Sequence, residues 1–239
     1  MEHPRTPADQ EVDHAANQDV DPPYLYPAYG STVLRGPRRP PIPIVPGPSE
    51  ATGPDGAVLL AGRSLGADLL RQHAGEPIGE RIVVEGRVAD SGGRPLAGVL
   101  VEIWQANAAG RYAHALDRHP APLDPSFTGA GLCLTDGDGR YRFVTIKPGA
   151  YPWRNHANAW RPAHIHFSVM GAAFSQRLIT QMYFPGDPLL GLDPIFGAVP
   201  PAARERLVAS FELERTVPEW ALGYRFDIAL GGRQGTPAT

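Results

Sequence analysis

The chain has little of what several classes of protein depend on. It contains one cysteine, Cys133, which excludes an intrachain disulfide framework and disfavours a structural zinc site. It contains no apolar run of the ~18 residues that a membrane-spanning helix needs. Residues 1–5 show no apolar core of a secretory signal. These absences predict a soluble cytoplasmic protein with no membrane partner.

The charge of the chain is also small. The formal net charge of −3 gives no reason to expect nucleic acid or an anionic membrane surface as a partner. Hydrophobic residues make up 42% of the sequence and charged residues 20%, which is ordinary for a globular protein. A chain of 239 residues is long enough for one large domain with a sizeable core.

The first part of the chain is rich in proline and lacks hydrophobic periodicity. We treat residues 1–56 as an N-terminal arm and residues 57–239 as the main domain. Proline prevents regular strand pairing and favours extended polyproline segments. We expect the first ~20 residues to be disordered. Residues 22–54 contain too many apolar and aromatic side chains for a free linker, so we expect them to lie across another surface.

The rest of the chain has the pattern of an all-β fold. Short runs of β-forming residues alternate with turns that contain glycine and proline, which is typical of a β-sandwich with long loops. Residues 86–101 and 135–148 resemble transthyretin-like modules. We predict strands at 81–89, 97–106, 141–146, 163–170, 176–184 and 224–230, and short helices at 64–70 and 201–210.

The most informative motif is a pair of histidines, His164 and His166, within one of these strands. Alternate side chains of a strand point to the same face, so both imidazoles can converge on one cation. Ile165 and Phe167 would point the other way, into the core. Neutral imidazole is the commonest metal ligand. The pair predicts a metal site, although two half-buried histidines on a polar strand face would give the same pattern.

Several residues could complete such a site, and the sequence leaves the choice open. A non-haem ferrous site would need a carboxylate. Asp187 and Asp193 are available, but each precedes a proline, where Asp is common for turn reasons alone. A third imidazole would have to come from one of four other histidines: His73, His114, His119 or His156.

Two tyrosines offer a different kind of donor. Tyr112 follows a predicted strand, and Tyr151 lies in a turn held by prolines and a glycine. A phenolate is a hard anionic donor, so a pair of them would suit a trivalent iron and offset much of its charge. Taken singly, each tyrosine is more often an ordinary amphipathic residue with a satisfied hydroxyl group.

These residues occur in a context that resembles a known family, the intradiol ring-cleaving dioxygenases. The resemblance spans roughly residues 24–230, most of the chain, and includes Tyr112 and Arg161 in the expected order. Within the family, the pattern is most like the β chains of the two-chain members that act on protocatechuate. The segments that match are LVEIWQAN at 100–107, YPWRN at 151–155, WRPAHIHF at 160–167 and ITQMYF at 179–184.

The resemblance implies a ferric enzyme on a β-sandwich of the transthyretin-like type, with Fe(3+) as its cofactor and residues 57–239 as the catalytic domain. It implies four metal ligands: Tyr112, Tyr151, His164 and His166. Protocatechuate would be cleaved by O2 to 3-carboxy-cis,cis-muconate, a step of aromatic catabolism in the β-ketoadipate pathway. A homologous α chain would form the active-site interface with this chain.

The resemblance also implies roles for residues around the metal. Tyr151 would leave the metal when substrate binds, and Arg161 would stabilise negative charge on the substrate ring. Gln181, on the next strand, would hydrogen-bond Arg161 or an oxygen species. The remaining expected substrate contacts are two pocket walls, Trp153 and Ile195, and two candidates to bind the carboxylate of protocatechuate, Tyr29 and Arg154.

Three other functions stay open at this point. The first is cleavage of catechol or hydroxyquinol in place of protocatechuate. Family members with that activity carry a helical N-terminal linker domain, which the proline-rich arm cannot form. A non-catalytic transthyretin-like binding module would explain the sandwich but not the joint occurrence of the tyrosines, histidines and Arg161. A mononuclear zinc hydrolase lacks a convincing third ligand and base.

Overall fold

The computed structural model describes residues 19–39, 42, 66–157, 160–171 and 177–239. Its strands form two main sheets and one small hairpin. The strands are β1 (Arg81–Asp90), β2 (Leu100–Gln105), β3 (Ala130–Leu134), β4 (Arg140–Ile146), β5 (Tyr151–Pro152), β6 (Trp160–Arg161), β7 (His164–Met170), β8 (Arg177–Tyr183), β9 (Ser210–Phe211), β10 (Leu222–Arg225) and β11 (Ile228–Leu230).

Sheet I is built around β1. This strand pairs antiparallel with β4 and parallel with both β10 and β11, and β10 also pairs antiparallel with β9. Sheet II is wholly antiparallel and has the order β3-β2-β7-β8. One apolar core joins the two sheets, because its buried side chains come from β1, β4 and β10 on one side and β2, β7 and β8 on the other. The predicted all-β sandwich is confirmed.

The described helices are short. Two are α-helices, α1 (Gly30–Arg35) and α2 (Pro194–Ala198). The helices predicted at 64–70 and 201–210 are 3-10 helices at Leu69–Arg71 and Pro201–Leu207, and residues 64 and 65 lie outside the described part. Further 3-10 turns lie at Leu190–Leu192 and Leu213–Arg215. No helix in the described ranges is long and apolar enough to cross a membrane.

The two-residue strands β5, β6 and β9 were not predicted, and two larger features of the sheets also differ from the prediction. The strand predicted at 224–230 is broken between β10 and β11, because the Asp227 carboxylate, in place of a backbone carbonyl, accepts the N–H of Arg87 at 3.0 Å. The edge strand β3 was not predicted, because its sequence AGLCL contains few β-branched residues and no polar alternation.

The described part of the arm lies against the chain's own sandwich. Val20 is buried in a second apolar cluster with Tyr183, Val199 and Leu207. The N–H of Gly30, at the start of α1, donates to a backbone carbonyl near the small hairpin. Residues 1–18 and most of 40–65 lie outside the described residues, so the predicted disorder and the full path of the arm stay predictions.

At Gly86 the backbone of β1 lies very close to the backbone of Phe226, in the segment between β10 and β11. A Cβ atom there would lie 1.8 Å from the backbone oxygen of Phe226. Gly86→Ala should therefore force the strands apart and lower the free energy of unfolding by about 1–3 kcal/mol or more. Gly137→Ala is the matched control, since no atom lies within 4 Å of its Cβ position. Urea unfolding of both variants tests this, and equal stabilities would contradict the packing.

Candidate metal centre

The two histidines lie on the outer face of sheet II, as the alternation of β7 predicts. Ile165 and Phe167 are fully buried in the core between the sheets. His166 is paired with Gln181 on β8 and with Trp104 on β2, whose indole stacks on the imidazole at 4.8 Å and 2°. The ring centroids of the two histidines are 4.8 Å apart. The strand therefore presents both imidazoles side by side and holds one by stacking.

A glycine lets the loop that carries Tyr112 lie against the segment that carries Tyr151. Gly110 has a φ angle of +75°, which favours glycine. A Cβ atom at this position would meet the backbone oxygen of Ala150 at 2.1 Å. The turn is closed by the N–H of Gly110, which donates to the backbone carbonyl of Asn107 at 3.0 Å. Close backbone contact thus brings the two tyrosines together.

The two tyrosines and two histidines form a closed ring of aromatic contacts. Centroid distances are 5.3 Å from Tyr112 to Tyr151, 5.3 Å from Tyr151 to His164, and 6.4 Å from His166 back to Tyr112. The Tyr151 hydroxyl group lies 3.3 Å from Nε2 of His164. The structure thus brings together all four of the predicted metal ligands.

The hydroxyl group of Tyr112 is buried, and among the described residues no partner lies within hydrogen-bond geometry of it. An unpaired buried hydroxyl group is costly, and such groups are rare in folded proteins. Burial, and next the neighbouring phenol of Tyr151, raise the pKa of Tyr112 well above its ordinary value. A cation bound in the ring would supply the missing partner and favour the phenolate.

Both histidines are held in the neutral form that metal ligation requires. Burial, followed by the charge of Arg161, keeps the pKa of His164 well below its ordinary value. The same two causes lower the pKa of His166 to about 3. Nδ1 of His164 lies 2.7 Å from the backbone oxygen of Pro162, which can only accept a hydrogen bond. The proton is therefore on Nδ1, and the lone pair of Nε2 faces the tyrosines.

Arg161 is the fixed cation beside this ring, as predicted, and only 2% of it is exposed. Its Nη2 donates to Gln181 Oε1 at 2.6 Å, which places Gln181 as a partner of the guanidinium group. Its Nη1 lies 3.1 Å from His164 Nε2 and 3.4 Å from the Tyr151 hydroxyl group. Burial opposes the charged form, but nearby Tyr183 and Asp193 raise the pKa of Arg161, so it stays charged.

Asp193 and Tyr183 belong to this network and were not predicted as site residues. Asp193 forms a buried ion pair with Arg161 at 2.8 Å. Tyr183 lies opposite His164 in the sheet and hydrogen-bonds both members of the pair. The signal for Tyr183 was its position two residues after Gln181, on the same strand face. Asp193 was weighed only as a carboxylate metal ligand or as a turn residue before a proline.

Three of the four predicted substrate contacts are linked to Arg161 or to its partner Asp193, and the fourth is not. The three are Trp153, Tyr29 and Ile195, and the fourth is Arg154. The guanidinium carbon of Arg161 lies 5.2 Å from the ring centroid of Trp153, which in turn lies 5.0 Å from the ring of Tyr29. Ile195 is buried at the start of α2, directly after Asp193. Arg154 is exposed and is not brought into these contacts.

Arg35 of α1 extends this set, and the sequence did not suggest it. Its guanidinium carbon lies 4.8 Å from the ring centroid of Tyr29. A run of side chains in contact therefore extends from the exposed Arg35 through Tyr29 and Trp153 to the buried Arg161.

Four of the six alternative metal ligands contact other groups. His73 hydrogen-bonds Thr128 at 2.7 Å, and the Asp187 carboxylate accepts the backbone N–H of Ala163 at 2.9 Å. His156 lies 2.9 Å from a backbone oxygen, and Asp193 is occupied by Arg161. Among the described residues, no group of three or more His, Cys, Asp or Glu side chains could hold a metal ion. The two-tyrosine, two-histidine set therefore fits a metal better than the carboxylate and third-histidine alternatives.

Comparison with known proteins agrees with this geometry. A family model described as dioxygenase matches residues 54–232, and a second, described as protocatechuate 3,4-dioxygenase beta subunit N terminal, matches residues 19–47. The chain is 58% identical over 221 residues to the protocatechuate 3,4-dioxygenase beta chain of Burkholderia cepacia, covering 90% of this chain and 92% of that protein.

More distant relatives share the core of the chain. Hydroxyquinol 1,2-dioxygenase of Rhizobium sp. is 34% identical over 145 residues, covering 56% of this chain and 46% of that protein. The solved structure of catechol 1,2-dioxygenase from Pseudomonas arvilla C-1 matches with a TM-score of 0.52 at 27% identity, covering 69% of this chain and 55% of that one. The matching family model and the Burkholderia relative show that the chain belongs to the intradiol ring-cleaving dioxygenase family, in agreement with its ring of donors.

Proposed function

We propose that this chain cleaves protocatechuate between its two hydroxylated carbons, inserting both atoms of O2 to give 3-carboxy-cis,cis-muconate. This reaction would place it in aromatic catabolism, in the β-ketoadipate pathway. The observation that carries the proposal is the ring of Tyr112, Tyr151, His164 and His166, in which two neutral imidazoles meet two phenols. The similarity to a protocatechuate 3,4-dioxygenase beta chain supports the choice of substrate.

Intradiol dioxygenases are generally iron-dependent, and we propose Fe(3+) for this chain. The four ring residues would hold it, because phenolate oxygen is a hard anionic donor and both imidazoles are neutral. Bound ferric iron would accept electron density from a catecholate and make the substrate ring reactive toward O2. The buried Tyr112 hydroxyl group supports this choice, since no hydrogen-bond partner is found for it in the part of the chain that the structure describes.

The chain's own residues supply proton transfer and charge. The Tyr151 oxygen is placed to accept a proton from a catechol hydroxyl group, and Arg161 Nη1, 3.4 Å away, would stay close to it. Arg161 would also stabilise negative charge on the substrate ring, in a site where burial strengthens that interaction. Trp153 and Ile195 would form apolar walls that exclude water.

The alternative functions explain less. A transthyretin-like binding module gives no account of a buried Tyr112 hydroxyl group beside two neutral histidines. Catechol and hydroxyquinol stay possible substrates of the same ring. The match of residues 19–47 to a protocatechuate 3,4-dioxygenase beta subunit favours protocatechuate.

We also propose a homologous α chain as partner and a cytoplasmic location. The name of the Burkholderia relative, a beta chain, supports such a partner. The arm provides apolar side chains for it, since Tyr24, Leu25, Val33 and Leu34 are all more than half exposed.

The ligand set is tested by removing one imidazole. His166→Ala should remove most bound iron while leaving the fold intact, because the core comes from the opposite face of β7. His73→Ala is the matched control, as this exposed histidine lies outside the ring. Iron per chain is measured on both purified proteins. Full iron occupancy in His166→Ala would sink the assignment.

The two tyrosines should behave differently. Tyr151→Phe should keep part of the iron and shift the visible absorption band, because Arg161 and His164 remain as partners around the vacated oxygen position. Tyr112→Phe should damage the substrate complex more, since we expect this ligand to stay bound throughout. Visible spectra with and without protocatechuate decide this, and identical spectra for the two variants would refute separate roles.

We propose Arg35 as a further candidate to bind the carboxylate of protocatechuate, because this exposed cation lies 4.8 Å from the ring of Tyr29, and test it beside Arg154. Arg35→Gln should weaken binding of protocatechuate by about 10-fold or more, the value of one charged hydrogen bond. Binding of catechol, which has no carboxylate, should not change. Arg154→Gln tests the other arginine, which the sequence analysis suggested as a partner of the carboxylate. Dissociation constants from anaerobic spectral titrations provide the measurement, and equal losses for both ligands would rule out a carboxylate contact.

A further inference from the structure

Asp193 is buried directly behind the cation of the site. Its side chain is 0% exposed, and it caps the start of α2, where its Oδ1 accepts the N–H of Ile195 at 3.4 Å. Its backbone oxygen also accepts the N–H of Gly197 at 2.8 Å. The carboxylate is therefore fixed by the helix and does not depend on a flexible loop side chain.

This carboxylate holds Arg161 at two points. Arg161 Nε donates to Oδ1 at 3.2 Å, and Nη2 donates to Oδ2 at 2.8 Å. A two-point contact fixes both the position and the rotation of the planar guanidinium group. The Tyr183 hydroxyl group braces the pair, because it donates to Asp193 Oδ2 at 2.9 Å and accepts from Nη2 at 3.1 Å.

The contacts of the three guanidinium nitrogens of Arg161 show which of its N–H groups remain for other partners. Nε and Nη2 are directed to Asp193, Gln181 and Tyr183, none of which is one of the four ring residues. Only Nη1 faces that ring, at 3.1 Å from His164 Nε2 and 3.4 Å from the Tyr151 oxygen. Both of these acceptors are proposed metal ligands. With the Nε2 lone pair of His164 committed to a metal, a hydrogen of Nη1 would be left for the substrate.

We propose that Asp193 is a positioning residue that, with Tyr183, aims the Nη1 edge of Arg161 at the substrate ring. This inference rests on the proposed function. Asp193 does not touch the substrate and acts through Arg161. The carboxylate also balances a charge that would otherwise be costly to bury, so the guanidinium group stays charged and in place.

The test is a double-mutant cycle. Asp193→Asn keeps the size of the side chain but removes its charge and replaces one of the two acceptor oxygens with an NH2 donor, and it should lower kcat about 10- to 100-fold, as loss of a supporting partner typically does. Iron content and the dissociation constant for protocatechuate should stay near those of the wild type. Arg161→Leu alone should lower kcat about 100- to 1,000-fold, the usual effect of losing one preorganised donor.

The combination of the two changes is decisive. If Asp193 acts through Arg161, Asp193→Asn should cause no further loss of kcat in the Arg161→Leu background. In metal-free protein it should raise the melting temperature of Arg161→Leu, because the unpaired buried carboxylate is removed. Asp187→Asn is the matched control, since Asp187 lies in the same loop and accepts only backbone N–H groups.

Three outcomes would overturn the inference. They are an unchanged kcat in Asp193→Asn, an equal fold-loss in both backgrounds, and loss of iron from Asp193→Asn, which would make Asp193 part of the metal site itself. If Asp193→Asn does not fold, Tyr183→Phe replaces it, with an expected loss of about 5-fold or more, because it removes the hydrogen bonds of the hydroxyl group to both Asp193 and Arg161. A wild-type protein without iron or turnover would instead refute the proposed function.

Discussion

The site depends on one constraint, the two-residue alternation of β7. This strand lies in the middle of sheet II, so its inward side chains, Ile165 and Phe167, are fixed by the core of the sandwich. His164 and His166 must then point outward together, because a shift of one residue would exchange the two faces. The core thus sets the position of both imidazoles before any metal or substrate is present.

A second constraint is the placement of charge. The described site contains one buried cation, Arg161, and one buried carboxylate, Asp193, which pairs with it. Burial, and next this cation, lower the pKa of both histidines and keep them neutral and available as ligands. It also faces the Tyr151 oxygen. Arg161 therefore helps to keep the two histidines neutral and would also stabilise the substrate. Its own position is set by Asp193, which caps α2.

The sequence predicted the parts of this structure that follow from local pattern. The alternation around His164 showed which side chains share a face, and the turns marked a sandwich. Tyr112 and Tyr151 came from the family resemblance, because a loop and a hairpin approach each other only through contacts such as that at Gly110. Asp193 was taken as a turn residue, since its bond to Arg161 joins positions 32 residues apart. Such pairings leave no periodic signal in a single sequence.

The most direct test of the account is the visible absorption spectrum of the purified wild-type protein, taken together with its metal content. Phenolate-to-ferric charge transfer absorbs visible light, so the account predicts a red-brown protein that contains iron without added cofactor. Anaerobic addition of protocatechuate should change the band, and air should then restore it as the product forms. A colourless protein that binds zinc, or an iron protein whose spectrum does not respond to protocatechuate, would contradict the account.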